Sequence, residues 1–221
     1  MKPDFVTDSE VGIKICGIRS LEDAILSIEL GASSLGFNFW KKSSRYVTRH
    51  QVEEWSTSLD PKIEKVGVFV NAEADEVTSL LEDNVIHVAQ FHGDESASYC
   101  EKVSKHHKTI RAVGVKDSRS LNEISSFNID TILLDAYCPK SYGGTGRSFE
   151  WDLGRKFIQS NPQSAVILAG GLDPSNVNEA IQLVRPAAVD VASGVENQNG
   201  FKDPQLVRQF VNAVKDSALS R

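Results

Sequence analysis

The chain has 221 residues, 40% of them hydrophobic, with 24 Lys and Arg against 30 Asp and Glu for a formal net charge of −6. That length allows one sizeable core in a single domain, while the acidic balance excludes a broad electrostatic footprint for nucleic acid or an anionic membrane. No stretch approaches the roughly 18 apolar residues of a membrane span, and the opening MKPDFVTDSE lacks the apolar segment of a signal peptide, so a cytoplasmic protein is expected.

In chain order, residues 1–11 carry no strand or helix pattern and are read as a mobile arm. Short apolar or β-branched runs then begin at residues 13 (IKICGI), 34 (SLGFNF), 65 (KVGVFV), 86 (IHVAQFH), 109 (TIRAVGV), 131 (TILLDAY), 165 (AVILAG) and 187 (AAVDVAS). Their spacing is too wide for tight hairpins and wide enough for a crossover helix, which predicts a parallel sheet. Between the first two runs, SLEDAILSIELG has Ser20 as N-cap, acids in the first turn, Leu21, Ile25 and Ile28 on one face and Gly31 just past the end. DPSNVNEAIQLV and DPQLVRQFVNAV each place a proline, Pro174 and Pro204, at a helix start, where its missing N–H does no harm. Eight strand–helix units without a linker predict a single-domain (β/α)8 barrel over residues 12–221. An open doubly wound sheet would alternate in the same way, but no GxGxxG follows the first strand.

Cys16, Cys100 and Cys138 are an odd number with no CxxC, which suits a reduced protein without a disulfide framework or zinc site. KHHK at 105–108 reads as a solvated face near a helix end rather than a metal tract. No metal or cofactor is implied.

In such a barrel the chemistry gathers at the C-terminal strand ends and the loops after them. Cys16 stands near the end of the first strand, Arg45 in the long loop after the second, Gln90 and His92 at the end of the fourth, Asp135 late in the sixth and Asp190 in the eighth. A buried cysteine is usually a small hydrophobe, yet alternation puts Lys14 on the same face, where an ammonium favours the thiolate that could act as base or nucleophile. Asp135 alternates with Leu133 and Tyr137 and so points into a largely apolar interior. Such a surround favours the neutral carboxyl and suits a general acid, although an aspartate that caps its own loop would sit there equally well. ILAGGLDPSNV and DVASGVE follow the last two strands, where barrels often bind phosphate with backbone N–H groups and a short helix. Gly170 and Gly171 would let the backbone approach the anion, and Ser193 and Gly194 would open the short helix; a lone GG otherwise marks a turn. Arg45 could clamp a carboxylate or be a solvated charge. GGTG at 143–146 offers hinges for a loop that closes over the mouth.

Together, KICGI (14–18), LGFNF leading to KSSRYV (42–47), VGVFVN (66–71), QFHGDE (90–95), LLDA with GGTGRSFEW (133–151), AGGL (169–172) and AVDVASGVE (188–196) resemble the phosphoribosylanthranilate isomerase family, from Ile13 to about residue 214. The resemblance implies a cofactor-free (β/α)8 barrel that converts N-(5-phosphoribosyl)anthranilate to 1-(2-carboxyphenylamino)-1-deoxyribulose 5-phosphate by an Amadori rearrangement, a step toward tryptophan. It implies Cys16 as general base, Asp135 as general acid and Arg45 as the binder of the anthranilate carboxylate. Gln90, His92 and Asp190 match family positions at the mouth without an assigned role. Asn38, Trp40 and Phe91 depart from common family residues, which bears on the fit of the arylamine rather than on the reaction. The expected partner is a small-molecule substrate, with neither membrane nor nucleic acid, and the protein is expected as a monomer or homodimer. Two alternatives stay open at this point: another phosphosugar aminoaldose–ketose isomerase on the same barrel, of which the histidine-pathway isomerase would carry an aspartate where Cys16 stands, and a non-catalytic phosphosugar-binding protein, which would need neither Cys16 nor Asp135.

Overall fold

Period-two alternation sorts each strand into residues that face the barrel axis and residues that face the surrounding helices. The computed structural model describes residues 1–7, 9–122, 124, 127, 129–137 and 149–218, without the side chains of Asn122 and Ala218. The strands are β1 (Gly12–Cys16), β2 (Ser34–Asn38), β3 (Glu64–Phe69), β4 (Val88–Phe91), β5 (Lys108–Val115), β6 (Thr131–Ala136), β7 (Ala165–Leu168) and β8 (Ala188–Val191). Each runs parallel to the next, and β8 closes on β1. The helices are α1 (Leu21–Leu30), α2 (Arg49–Ser56), α3 (Ala74–Glu82), α4 (Ala97–Ser104), α5 (Ser118–Asn122), α6 (Trp151–Ser160), α7 (Val177–Val184) and α8 (Pro204–Ala218), with a 3-10 turn at Ser193–Val195. This is the (β/α)8 barrel expected from the sequence, and the closed strand order rules out the open sheet. None of the described helices is long and apolar enough to cross a membrane.

Local chemistry fixes the ends of these elements. The Ser20 hydroxyl accepts the Asp23 N–H at 3.1 Å, and Gly31 takes the left-handed conformation that ends α1, with φ of 110°. Thr48 and Gln51 cap α2 reciprocally. Pro204 opens α8 as expected, whereas Pro174 lies ahead of α7 rather than in its first turn. There, Asn176 takes over the helix start, its side chain accepting the Asp173 N–H and donating to the Gly171 carbonyl.

Outward-facing Ile13, Ile15, Leu35, Phe37, Phe69 and Phe91 pack with Ala24, Val52, Val77, Ile181, Val207 and Phe210 of the helices in the main core. Each fully buried side chain of this size contributes about 1.5–3 kcal/mol. Inward-facing Val66, Val88, Ile110, Ala112, Leu133, Ile167 and Ala188 form a second cluster inside the barrel, and Phe5 and Val6 belong to it. The arm therefore departs from the mobile segment expected. Phe5 is only 5% exposed and Val6 1%. The Phe5 N–H donates to Glu64 at 3.1 Å, and Lys108 lies 2.9 Å from the same carboxylate. Gly12 makes the space, because a Cβ there would stand 2.1 Å from the Phe5 carbonyl oxygen. Two apolar residues within a polar decamer carry too little periodicity to announce this packing.

Candidate active site

At the opposite end of β1, Lys14 and Cys16 point inward on successive pleats. Strand register sets Lys14 beside Asp190 of β8 and Cys16 beside Gly36 of β2. The Lys14 ammonium accordingly donates to Asp190 Oδ1 at 2.7 Å, with the lysine wholly buried. Gly36 is required by its neighbours, since a Cβ there would stand 2.7 Å from Cys16 Sγ and 3.0 Å from Lys14 Nζ. Burial alone would lower the Lys14 pKa, but Asp190 and Cys16 outweigh it and hold the ammonium above its ordinary value. For Cys16 the balance goes the other way. Burial pushes the thiol up, and the opposing pull of Lys14 only partly offsets it. Burial thus counts first against the thiolate that Lys14 is expected to favour, and Asp190, which shares the ammonium, adds its own negative charge beside the sulfur.

Asp135 of β6 is paired in register with Gly114, and Gly170 lies against it, where a Cβ would come within 3.1 Å of Asp135 Oδ1. Its Oδ1 accepts the Ala136 N–H at 2.8 Å, and its Oδ2 lies 3.2 Å from His92 Nε2. Gln90 Nε2 in turn lies 3.0 Å from His92 Nδ1. With the amide as donor, the imidazole carries its proton on Nε2 and offers it to Asp135. Gln90 is 1% exposed, and its Oε1 has no hydrogen-bond partner among the described residues. An orphan acceptor of this kind costs about 1–3 kcal/mol unless a ligand satisfies it.

Arg45 reaches the mouth across Gly17, whose φ of 76° turns the chain out of β1, and a Cβ there would stand 2.3 Å from the arginine Cδ. The guanidinium pairs side-on with Glu196, Nε to Oε1 at 2.7 Å and Nη2 to Oε2 at 2.8 Å. Lys202 donates to the same Oε1 at 2.9 Å. Burial would raise the Glu196 carboxyl, but Arg45 and Lys202 hold it below its ordinary value. Neither Glu196 nor Lys202 stands out in the sequence, since nothing local marks a carboxylate that pairs with a loop on the far side of β1.

Cys16, Arg45, Gln90, His92, Asp135 and Asp190 all line one cavity of about 330 Å³. Asn38, Trp40, Lys42, Ser43 and Val68 complete much of its wall; Lys42 and Ser43 went unmarked because a loop after β2 has no period to betray it. Lys14, Gly170, Gly171, Ser193 and Gly194 lie outside the lining. Gly170 and Gly171 nevertheless take left-handed φ of 83° and 64° right after β7, and Ser193 opens the 3-10 turn after β8 as expected. At Gly194 a Cβ would stand 2.0 Å from the Leu172 carbonyl oxygen, so the two loops pack together there through glycine. GGTG at 143–146 and Cys138 lie outside the described residues. Cys16 and Cys100 are free thiols, and no group of His, Cys, Asp or Glu among the described residues is arranged as metal ligands.

Sequence reasoning also missed the clamp behind His92. Glu95 accepts the Asn71 N–H at 2.8 Å, the Gly93 N–H at 2.9 Å and Arg111 at 2.7 Å, while Arg111 donates to the Gly93 carbonyl at 2.9 Å. Both backbone groups of the residue after His92 are therefore fixed. Arg111 faces the helices rather than the axis, so alternation gives it no place in the site.

Asp135, Cys16 and Arg45 share one mouth. The profile of the family described as "PRAI: N-(5'phosphoribosyl)anthranilate (PRA) isomerase" matches residues 13–213. An N-(5'-phosphoribosyl)anthranilate isomerase of Citrifermentans bemidjiense is 42% identical over 94% of this chain and 98% of its own length. One from Geotalea uraniireducens is 44% identical over 92% and 98%. The crystal structure of the phosphoribosyl anthranilate isomerase of Thermotoga maritima is 39% identical, covers 93% of this chain and 99% of its own, and superposes with a TM-score of 0.83. A phosphoribosyl anthranilate isomerase solved in complex with reduced 1-(o-carboxyphenylamino)-1-deoxyribulose 5-phosphate superposes with a TM-score of 0.79 at 36% identity, over 93% of this chain and 99% of its own. With a profile match over most of its length and relatives above 40% identity, the chain belongs to the N-(5'-phosphoribosyl)anthranilate isomerase family.

Proposed function

We propose that Cys16 and Asp135 are the base and acid with which this chain isomerises N-(5'-phosphoribosyl)anthranilate to 1-(2-carboxyphenylamino)-1-deoxyribulose 5-phosphate in tryptophan biosynthesis. The observation that carries the reading is that the two residues, on strands β1 and β6 of a closed barrel, line a single cavity. Asp135 protonates the ribose ring oxygen, the C1′–O bond breaks, and the anilino nitrogen lone pair forms the iminium. Cys16 as thiolate then removes the proton from C2′, and those electrons flow into the iminium to give the enolamine. Tautomerisation delivers the ketone. Because the iminium is the electron sink, the reading calls for no cofactor. Burial works against the thiolate, so the base is unmasked in the complex. Lys14, Lys202 and the positive iminium each pull in that direction, and a closed site strengthens all three.

Gly170, Gly171, Ser193 and Gly194 take the substrate phosphate with backbone groups and the turn after β8, which lets an acidic protein hold an anion locally. Gln90 Oε1 is the natural acceptor for a sugar hydroxyl. Asp190 keeps Lys14 charged beside the base. On this reading the enzyme works in the cytoplasm and acts on a small molecule as a monomer or homodimer. Cys16→Ala and Asp135→Asn should each lower kcat by about 100-fold or more while the protein keeps its circular dichroism spectrum, as general acid–base catalysis contributes at least that much. Near-normal turnover in either variant removes that residue from the mechanism. Complementation of a tryptophan auxotroph lacking this step, with the histidine-pathway aminoaldose assayed beside it, separates the reading from a related isomerase or a binding protein.

A further inference from the structure

The Arg45–Glu196 pair leaves half of the guanidinium unused. A guanidinium presents five N–H groups on two forks, one side-on through Nε and one Nη, the other end-on through both Nη. Glu196 occupies the side-on fork at 2.7 and 2.8 Å, and Nη1 makes no hydrogen bond among the described residues. Glu196 is itself fixed from behind by Lys202, whose side chain is 0% exposed and whose ammonium also donates to the Ala192 carbonyl at 3.2 Å. The arginine stem is trapped against Gly17 beside the reacting thiol. Arg45 is thus held from the β8 side by a carboxylate that does not line the cavity, while the arginine itself does.

We propose that Glu196 is a positioning residue that selects which fork of Arg45 meets the substrate, leaving only the end-on fork for an aryl carboxylate. This inference rests on the enzymatic reading above. The buried carboxylate orients the arginine and fixes the approach of the arylamine, and so contributes to selection for an ortho-carboxylated ring over a plain one. Lys202 supplies the second positive charge that keeps Glu196 ionised, so the carboxylate stays committed to Arg45 without being neutralised.

The test compares turnover of N-(5-phosphoribosyl)anthranilate with that of N-(5-phosphoribosyl)aniline, which lacks the carboxylate. In wild type the carboxylated substrate should have a KM at least about tenfold lower, the scale of one well-placed charged hydrogen-bond pair. Glu196→Gln should erase most of that difference by raising KM for the anthranilate alone, with kcat within about threefold. The double variant with Arg45→Ala should bind no worse than Arg45→Ala alone, since residues acting through one another are not additive. Because Gln leaves Lys202 buried without its counter-charge, Glu196→Asp is the second variant: it keeps the charge but its shorter arm cannot span both nitrogens, so the KM rise should persist in a normally folded protein. Retained discrimination in either variant, or a parallel loss for both substrates as a purely structural role would give, overturns the inference. An inactive wild type overturns the enzymatic reading together with it, and the two failures are told apart by that control.

Discussion

The two ends of this barrel are built from the same strands with opposite priorities. At the C-terminal mouth the interior carries Lys14, Asp190, Asp135 and the Arg45–Glu196–Lys202 triad, all substantially buried, around a cavity. At the N-terminal end the axis is filled by apolar side chains and closed by Phe5 and Val6, with Glu64 and Lys108 at the rim. Buried ion pairs contribute little net stability, because desolvation offsets most of the Coulomb gain. Apolar burial contributes about 1.5–3 kcal/mol per large side chain. The comparison teaches that stability resides below, and that the charges in the upper interior, which add little to it, fit the catalytic role proposed for that mouth.

The strongest way to break that comparison is to remove the charges without leaving one orphaned. Lys14→Met alone strands Asp190 in the interior and should cost about 3–5 kcal/mol in urea unfolding, whereas Lys14→Met with Asp190→Leu should recover most of that loss. Activity should stay abolished in both. If the double variant regained turnover, the pair would be structural and the division between the two ends would fall.

Next in size is the lower plug. Phe5→Ala removes a side chain 5% exposed from the interior cluster and should cost about 3 kcal/mol, at the lower limit for Phe→Ala because the arm can relax at a chain end. Its kcat should match wild type. A loss of turnover without a loss of stability would mean that the plug reaches the chemistry through the barrel.

A smaller effect sharpens the upper half. The Cys16 thiol is raised from its ordinary 9.0 by folding, so above pH 9 the unfolded chain releases a proton that the folded chain keeps, and stability falls as pH rises. Lys14 is raised above 10.5, so its contribution is complete below that pH and is lost only as pH climbs through its folded value. Cys16→Ala should therefore flatten the loss of stability between pH 9 and 10.5, by at most about 1.4 kcal/mol per pH unit. An unchanged slope would show that the thiol is not desolvated.

The barrel itself was legible because eight apolar runs and well-marked caps such as Ser20 and Gly31 repeat one local rule. Cys16, Asp135, Gln90, His92 and Asp190 were legible because alternation plus strand end fixes both the face and the height of a residue. What stayed hidden depends on contacts between distant segments. Glu196 and Lys202 matter only once the loop after β2 crosses Gly17, and Glu95 with Arg111 acts from behind the strand. The balance of burial and charge at the Cys16 thiol stayed hidden for a related reason. The sequence shows that Lys14 is near, but not that Asp190 engages the ammonium or how much water the site excludes. The seated arm was misread because Gly12 opens a space that only the closed barrel defines.

The smallest expected effect concerns how the arm is held. The Met1 ammonium lies 3.0 Å from Asp130, but the two groups are 58% and 65% exposed, so solvent and salt screen the pair. If the arm is anchored by Phe5 and Val6 and by the Phe5 N–H to Glu64, then Asp130→Asn should shift the melting temperature by less than about 1 °C and leave turnover untouched. If instead it destabilised the protein as much as Phe5→Ala does, the lower end would be held by surface charge rather than by the buried plug. Ionic strength gives the same answer independently. An arm held by apolar burial keeps the Tm difference between wild type and Phe5→Ala constant as salt is raised, whereas an arm held by the exposed pair loses it.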